Sequence, residues 1–307
     1  MTIGEFVKYF EAELAPLQWY DRREVWSMAS YLLKEIAGVE RYKLIVEPQM
    51  ELSGDCEADL IGCVHKMKQG EPLQYVLGYE YFCGHKFKVA SGVLIPRPET
   101  EELVNMILAD SPSLNLLAES GENENGSLRV LDICAGSGCI AWSLAAGLPG
   151  SKVWGCDISE EALKIARSQK ISSASEVSFF KCDVLDSLAE ETIIGASGGG
   201  CFDIIVSNPP YVCEGERSRM RANVLDYEPD LALFVPDDDP LKFYGRIVEL
   251  SGGEKGLLRR GGMLYFEVNE RFALETSALM QSAGFVECRI ICDMFGKERM
   301  VKGRKER

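Results

Sequence analysis

From Leu128 onward the chain alternates short apolar runs with helical stretches, and this alternation constrains the fold more than any other feature. RVLDIC (129–134), KVWGCDI (152–158), VSFFKCD (177–183), FDIIVSN (202–208), GMLYFEV (262–268) and FVECRII (285–291) have strand length and strand composition. Between them lie segments such as EEALKIARSQK (160–170) and RFALETSALMQSAG (271–284), with helical spacing. Strands separated by helices pair in parallel through right-handed crossovers, which predicts an α/β fold: a doubly wound, mostly parallel, Rossmann-like sheet. The glycines at 198–200 lack a following Lys-Ser/Thr, so they are expected to form a flexible connection and not a phosphate loop.

The first 72 residues carry another period. Phe6, Val7, Phe10 and Leu14, then Val25, Met28, Ala29, Leu32, Leu33 and Ile36, recur at three- and four-residue steps, with breaks at Pro16, Gly38, Pro48 and Gly54. A small N-terminal helical bundle over 1–72 is expected. Residues 73–97 turn aromatic and β-branched around Gly84, which predicts a β-hairpin linker to an α/β domain spanning 98–307. A helix should start near Pro98 and Glu99, and 111–127 is expected to be a polar surface loop.

Composition removes several classes. No apolar run approaches the roughly 18–20 residues that span a bilayer, so no membrane association is expected. A net charge of −15 opposes nucleic-acid phosphates. MTIGEFVKYF lacks the basic start and apolar stretch of a signal peptide, so the eleven cysteines are expected to be thiols in a reducing cytoplasm. Cys156, Cys182, Cys288 and Cys292 sit beside apolar residues, as small hydrophobes do. With no CxxC pair and only His65 and His85 available, no metal site is expected.

The first strand of the alternating region runs into Asp132-Ile133-Cys134-Ala135-Gly136-Ser137-Gly138-Cys139-Ile140-Ala141, a strand, a glycine turn and a helix start. Glycines there let backbone N–H groups approach a ligand at the sheet's carboxyl edge. Gly136-x-Gly138-x-x-Ala141 also fits a dinucleotide fingerprint, so the turn alone leaves the nucleoside open. Asp157 ends the second strand nineteen residues beyond Gly138, placed to accept both hydroxyls of a ribose. An adenosine-containing cofactor follows. Asp132 suits the ammonium of a methionine moiety and opposes a pyrophosphate, which selects S-adenosylmethionine over a nicotinamide cofactor.

The fourth strand empties into Asn208-Pro209-Pro210-Tyr211. Two prolines hold the backbone extended, so the Asn208 side chain and the Pro209 carbonyl can converge on one planar NH2. Spacing carries the reading no further than an amino-group methyltransferase. An adenine N6-methyltransferase acting on DNA or RNA, and a nucleoside-binding protein without turnover, stay open as alternatives.

Several segments together resemble a known family, the glutamine N5-methyltransferases of peptide chain release factors (PrmC/HemK). These are the NPPY tetrapeptide, PLQYVLG (72–78), IPRPETE (95–101), Tyr227-Glu228-Pro229 with Ala232-Leu233, and a tail, Arg299 to Arg304, similar to the family's closing strand. The resemblance covers essentially the whole chain. It implies methyl transfer from S-adenosylmethionine to the side-chain amide of the Gln in the Gly-Gly-Gln loop of release factors. A monomeric, cytoplasmic enzyme that binds no nucleic acid directly is expected. The resemblance implies cofactor contacts from Cys134, Ala135, Gly136, Ser137, Gly138, Asp157, Asp183, Val184 and Asn208, and substrate contacts from Asn208, Pro209, Pro210 and Tyr211. Tyr211 would pack on the flat amide. Arg97 and Glu99 would organise the cleft, Glu228 would order a loop over the substrate, and the N-terminal bundle would recognise the release factor. Two positions depart from the family: Cys134 where Gly is usual, and Val184 where an aromatic is frequent.

Overall fold

The computed structural model describes residues 1–17, 19–119, 127–172, 174–253 and 256–306, the side chains of 112–119 excepted. They form two compact units: Met1–Gly78 with Arg219–Glu228, and Tyr79–Ser218 with Pro229–Arg307.

The first unit is helical, with main helices Ile3–Leu14, Arg22–Ala37 and Gly54–Lys68 and shorter ones at Lys43–Val46 and Leu73–Leu77. Their starts are set by local chemistry. Thr2 with Glu5, and Asp21 with Glu24, form reciprocal capping boxes, and Ser53 accepts the Cys56 N–H. Gly38 ends the second helix at φ +64°, where a side chain would be strained. The apolar stripes meet in one core of Ile3, Phe6, Phe10, Leu14, Val25, Ala29, Leu32, Leu33, Leu60, Val64 and Met67, while Val7, Met28 and Ile36 pack at its margin. A helix distant in sequence, Ala222–Tyr227, is fastened to this unit. Asn223 Nδ2 donates to the Tyr20 hydroxyl at 3.0 Å, Arg221 to Glu24 at 2.9 Å, and the Tyr227 hydroxyl to the Gln69 carbonyl at 2.9 Å.

The second unit opens with an antiparallel hairpin, β1 (Tyr79–Phe82) and β2 (His85–Lys88). The expected hairpin linker over 73–97 is therefore corrected: Leu73–Leu77 is helical and closed by Gly78, and Phe82 and Phe87 are buried with the second unit's core. Seven strands follow in one sheet: β3 (Arg129–Ile133), β4 (Lys152–Asp157), β5 (Val177–Lys181), β6 (Phe202–Ser207), β9 (Leu258–Glu267), β10 (Phe285–Cys292) and β11 (Glu298–Lys305). Two short strands, β7 (Val212–Cys213) and β8 (Phe234–Val235), pair apart from it. The sheet order is β10-β11-β9-β6-β3-β4-β5. The five strands from β9 to β5 are parallel, and β11 inserts antiparallel between β9 and β10. This is the doubly wound fold, with its topological switch between β3 and β6.

Side-chain alternation sorts the sheet's two faces. Leu131, Ile133, Ile205, Leu264 and Phe266 pack with Tyr244, Ile247 and Met280 on one side. Val130, Ile204, Val206 and Tyr265 pack with Leu103, Ile107, Ile140 and Leu144 on the other. Two further expectations change. The helix from Pro98 runs to Glu119, so 111–119 is helical and not loop; Leu114, Leu116 and Leu117 keep apolar residues in the stretch and no glycine interrupts it, while 120–126 lies outside the described residues. Gly198–Gly200 all have positive φ, Gly198 caps the helix Ala189–Ser197, and the Arg129 guanidinium donates to the Ser197 and Gly199 carbonyls, so the expected connection is a hydrogen-bonded helix cap. Among the described residues no helix is long and apolar enough to cross a membrane.

Phe10 lies wholly inside the helical core beside Phe6, with ring centroids 5.9 Å apart. Phe10→Ala is expected to destabilise that unit by about 3–5 kcal/mol. Hydrogen exchange should show faster opening of the amides of helices Ile3–Leu14, Arg22–Ala37 and Gly54–Lys68, with the sheet amides unchanged.

Candidate active site

The parallel register brings the chemistry to one edge. Ile133 is level with Cys156 on β4 and with Ser207 on β6, and Ser207 is level with Phe266 on β9. The residues that follow these four, Cys134, Asp157, Asn208 and Glu267, therefore gather at the carboxyl edge beside the switch point. A cavity of about 320 Å³ opens there.

Its floor is the glycine turn. Gly136 (φ +54°) has open space where a Cβ would stand, and its N–H donates to Asp157 Oδ2 at 2.8 Å. The other Asp157 oxygen accepts from Ser159 N–H at 2.9 Å. Burial pushes the Asp157 carboxyl up, and these backbone donors oppose the shift. Cys134 takes the left-handed conformation, φ +64°, at the position where the family usually has glycine, a strain of about 1–3 kcal/mol for a residue with a Cβ. Its thiol is half-buried at the cavity wall, and desolvation raises its pKa well above the ordinary thiol value. Val184 is buried, and its carbonyl accepts from Arg246 Nε at 3.2 Å.

The cavity walls include Cys134, Ala135, Gly136, Ser137, Asp157, Asp183, Val184, Asn208 and Pro210 from the expected residues, together with Arg97. Four expected contacts are not among its lining. Asp132 is fully buried on the sheet face, where Oδ2 accepts the Ala141 N–H at 3.1 Å, so any influence on a ligand's ammonium acts through the turn it braces. Gly138 serves packing: a Cβ there would come within 2.8 Å of the Phe179 ring and 3.1 Å of Ala166 Cβ. Pro209 is buried. Tyr211 does not lie open to the cavity; it packs against the sheet core and its hydroxyl donates to Glu267 Oε1 at 3.0 Å. Glu228 is buried and belongs to the first unit.

Sequence reasoning missed Glu267 altogether and gave Thr100 no role. Glu267 is 1% exposed, and it accepts the Thr100 hydroxyl at 2.6 Å and the Tyr211 hydroxyl at 3.0 Å. Burial raises its pKa, with those two donors and the Arg299 charge pulling the other way. The available signal was one carboxylate closing an otherwise apolar strand, GMLYFEV. Thr100 Oγ1 in turn accepts from Asn208 Nδ2 at 3.3 Å, and Asn208 Oδ1 is buried with no partner among the described residues.

A release factor glutamine methyltransferase of Bacteroides thetaiotaomicron is 43% identical over 282 residues, covering 92% of this chain and 93% of that protein. The chain belongs to the release factor glutamine methyltransferases. A second member, from Flavobacterium psychrophilum, is 36% identical over 98% of this chain and 99% of its own length. Family models described as the PrmC N-terminal domain and the methyltransferase small domain match residues 20–78 and 110–225. Among solved structures, the hMettl16 catalytic domain aligns with a TM-score of 0.50 at 13% identity, covering 83% of this chain and 84% of that one, a likeness of fold.

The methyl donor this family membership implies, S-adenosylmethionine, suits the residues present. Gly136 leaves its approach open, Asp157 offers a carboxylate to a ribose diol, Asp183 and Val184 supply an adjoining polar and apolar wall, and Asn208 Oδ1 is an orphaned buried acceptor. Asp157→Ala removes the ribose acceptor and frees the Gly136 N–H, so S-adenosylmethionine binding is expected to weaken by about 1.5–3 kcal/mol. Isothermal titration calorimetry on the folded variant measures it, and unchanged affinity would remove Asp157 from the site.

Proposed function

We propose that this chain methylates the side-chain amide nitrogen, N5, of the glutamine in the Gly-Gly-Gln motif of peptide chain release factors, with S-adenosylmethionine as donor. The observation that carries the reading is Asn208. Its NH2 group is engaged by Thr100 while Oδ1 is left without a partner on a side chain that lines the cavity, so the end available to a ligand is an acceptor. A planar NH2 is the complementary group. Neither histidine lines the cavity, and the fully buried Asp132 is held on a backbone amide.

When bound, the donor supplies a methyl group already activated by its sulfonium. An amide nitrogen is a poor nucleophile because its lone pair is delocalised into the carbonyl. The Asn208 Oδ1 accepts an amide N–H, holds the nitrogen's lone pair in line for attack, and stabilises positive charge as it develops there. The extended backbone of the two prolines keeps this acceptor in place. No side-chain base is required, since the proton leaves the nitrogen after the new C–N bond has formed. The overall charge of −15 speaks against the adenine alternative.

We assign recognition of the release factor to the helical unit, and its cytoplasmic place to the translation machinery it serves. Tyr42, Ile45 and Val46 lie together on and beside one short helix of that unit, with Ile45 76% and Val46 63% exposed. Exposed apolar side chains so grouped are suited to bury against a protein partner. Ile45→Asp with Val46→Asp should raise KM for release factor by about tenfold or more, leaving S-adenosylmethionine affinity unchanged, as a loss of interface contacts requires. Unchanged KM would remove this patch from recognition.

The chemistry is tested by single-turnover methyl transfer to a release factor at saturating S-adenosylmethionine, with DNA and RNA as parallel substrates. Asn208→Ala is expected to lower the rate by about 10²-fold or more, chiefly in kcat. Transfer at the wild-type rate would reduce the tetrapeptide to a turn. Methylation of nucleic acid in place of the release factor would favour the adenine reading.

A further inference from the structure

The geometry points to Glu267 and Thr100 as positioning residues that fix which end of the Asn208 amide is left for the substrate. Side-chain amides are nearly symmetric in shape, and an Asn turned about χ2 would offer a donor where the reaction needs an acceptor. Something must select one orientation. Asn208 is held from one side only, through Nδ2 donating to Thr100 Oγ1 at 3.3 Å.

A threonine hydroxyl has a single hydrogen, and that hydrogen determines whether Oγ1 can accept from Asn208 or must donate to it. Thr100 donates to Glu267 Oε2 at 2.6 Å, so only lone pairs remain for Asn208. Only the NH2 end of the amide can use a lone pair, so Nδ2 turns toward Thr100 and Oδ1 is the free end. The direction of the chain originates at Glu267, whose Oε2 accepts the only hydrogen the Thr100 hydroxyl has to give. Its second oxygen takes the Tyr211 hydroxyl at 3.0 Å, so one carboxylate holds the 208–211 tetrapeptide directly at Tyr211 and through Thr100 at Asn208.

The surrounding fold holds Glu267 where this requires. β9 pairs with β6 so that Ser207 is opposite Phe266, with Asn208 and Glu267 the next residues along each chain segment, and β11 places Met300 against Glu267 on the other side. The Tyr244 hydroxyl donates to the Glu267 carbonyl at 3.1 Å, and Thr100 stands in the first turn of the helix that begins at Pro98. Thr100 and Glu267 are 2% and 1% exposed, so water does not offer Asn208 an alternative partner of either polarity through them.

This assignment rests on the proposed role of Asn208 in methyl transfer, and a double-mutant cycle separates the two. Thr100→Val keeps shape and removes Oγ1; Thr100→Ser keeps the hydroxyl; each is made with Asn208 intact and with Asn208→Ala, and single-turnover transfer to release factor and S-adenosylmethionine affinity are measured for all. Thr100→Val is expected to lower kcat by about tenfold or more when Asn208 is present, with cofactor affinity changed by less than about threefold. Thr100→Ser should stay within about threefold of wild type, and Thr100→Val should have no further effect in the Asn208→Ala background. Should Thr100→Val not fold, Thr100→Ala takes its place in the same cycle. Wild-type kcat in Thr100→Val, an equal loss in both backgrounds, or a Thr100→Ser as impaired as Thr100→Val would overturn the assignment. If Asn208→Ala itself transfers at the wild-type rate, the reading of Asn208 fails first, and the positioning role fails with it.

Discussion

The parallel pairing of β3 with its neighbours is the constraint on which the catalytic unit depends. Because the register sets Ile133 against both Cys156 and Ser207, and Ser207 against Phe266, the strands reach the same edge together, and Cys134, Asp157 and Asn208 there line one cavity with Glu267 buried behind them. The Ser207 hydroxyl reinforces this at the switch point by donating to the Ile133 carbonyl at 2.6 Å, entirely out of water. A slip of one residue between β3 and β6 would exchange the sheet faces of every side chain on the slipped strand. Cys134 and Asn208 would then no longer stand level. The apolar layers on the two faces make that register costly to leave, since each strand contributes to both.

On that frame the site is assembled from buried acceptors. Asp132, Asp157 and Glu267 are each pushed toward the neutral form by burial, and each is countered by donors from backbone or hydroxyl groups. Asp132 and Asp157 brace the two sides of the glycine turn through Ala141 and Gly136, so the loop that approaches the donor is held by carboxylates and not by packing alone. The acceptor oxygens that do line the cavity, on Asp157, Asp183 and Asn208, suit a cationic sulfonium better than an anionic pyrophosphate. Asp132 acts at one remove, since its side chain is turned into the sheet face.

Much of this was legible in the chain. Strand-length apolar runs, helical spacing over 1–72 and the two motifs at strand ends were local signals, and local signals survive in a sequence. Leu73–Leu77 was misread because aromatic and branched residues mark any half-buried segment, helix or strand. Residues 111–119 were misread because Ser, Pro and Asn were weighed over the leucines among them. Tyr211 was placed on the substrate by analogy with its motif, whereas its partner Glu267 lies 56 residues away and becomes visible only through strand pairing. Likewise the attachment of Arg219–Glu228 to the helical unit depends on Tyr20, Glu24 and Gln69, about 150–200 residues away along the chain, and no spacing rule reaches that far.

The absence of a histidine from the site's lining then acquires a physical sense. A general base would serve a nucleophile that must lose its proton before attack, but an amide NH2 held on a fixed acceptor is activated by orientation. Fixed acceptors need fixed polarity, and polarity inside a protein is maintained by groups that cannot reverse it. A carboxylate whose two oxygens each already accept a hydroxyl is such a group, whereas a hydroxyl or amide alone is not. A site that works by orienting a neutral amide therefore has more use for a carboxylate behind its acceptor than for a base beside its nucleophile, and Glu267 stands behind Asn208 at a single hydroxyl's remove.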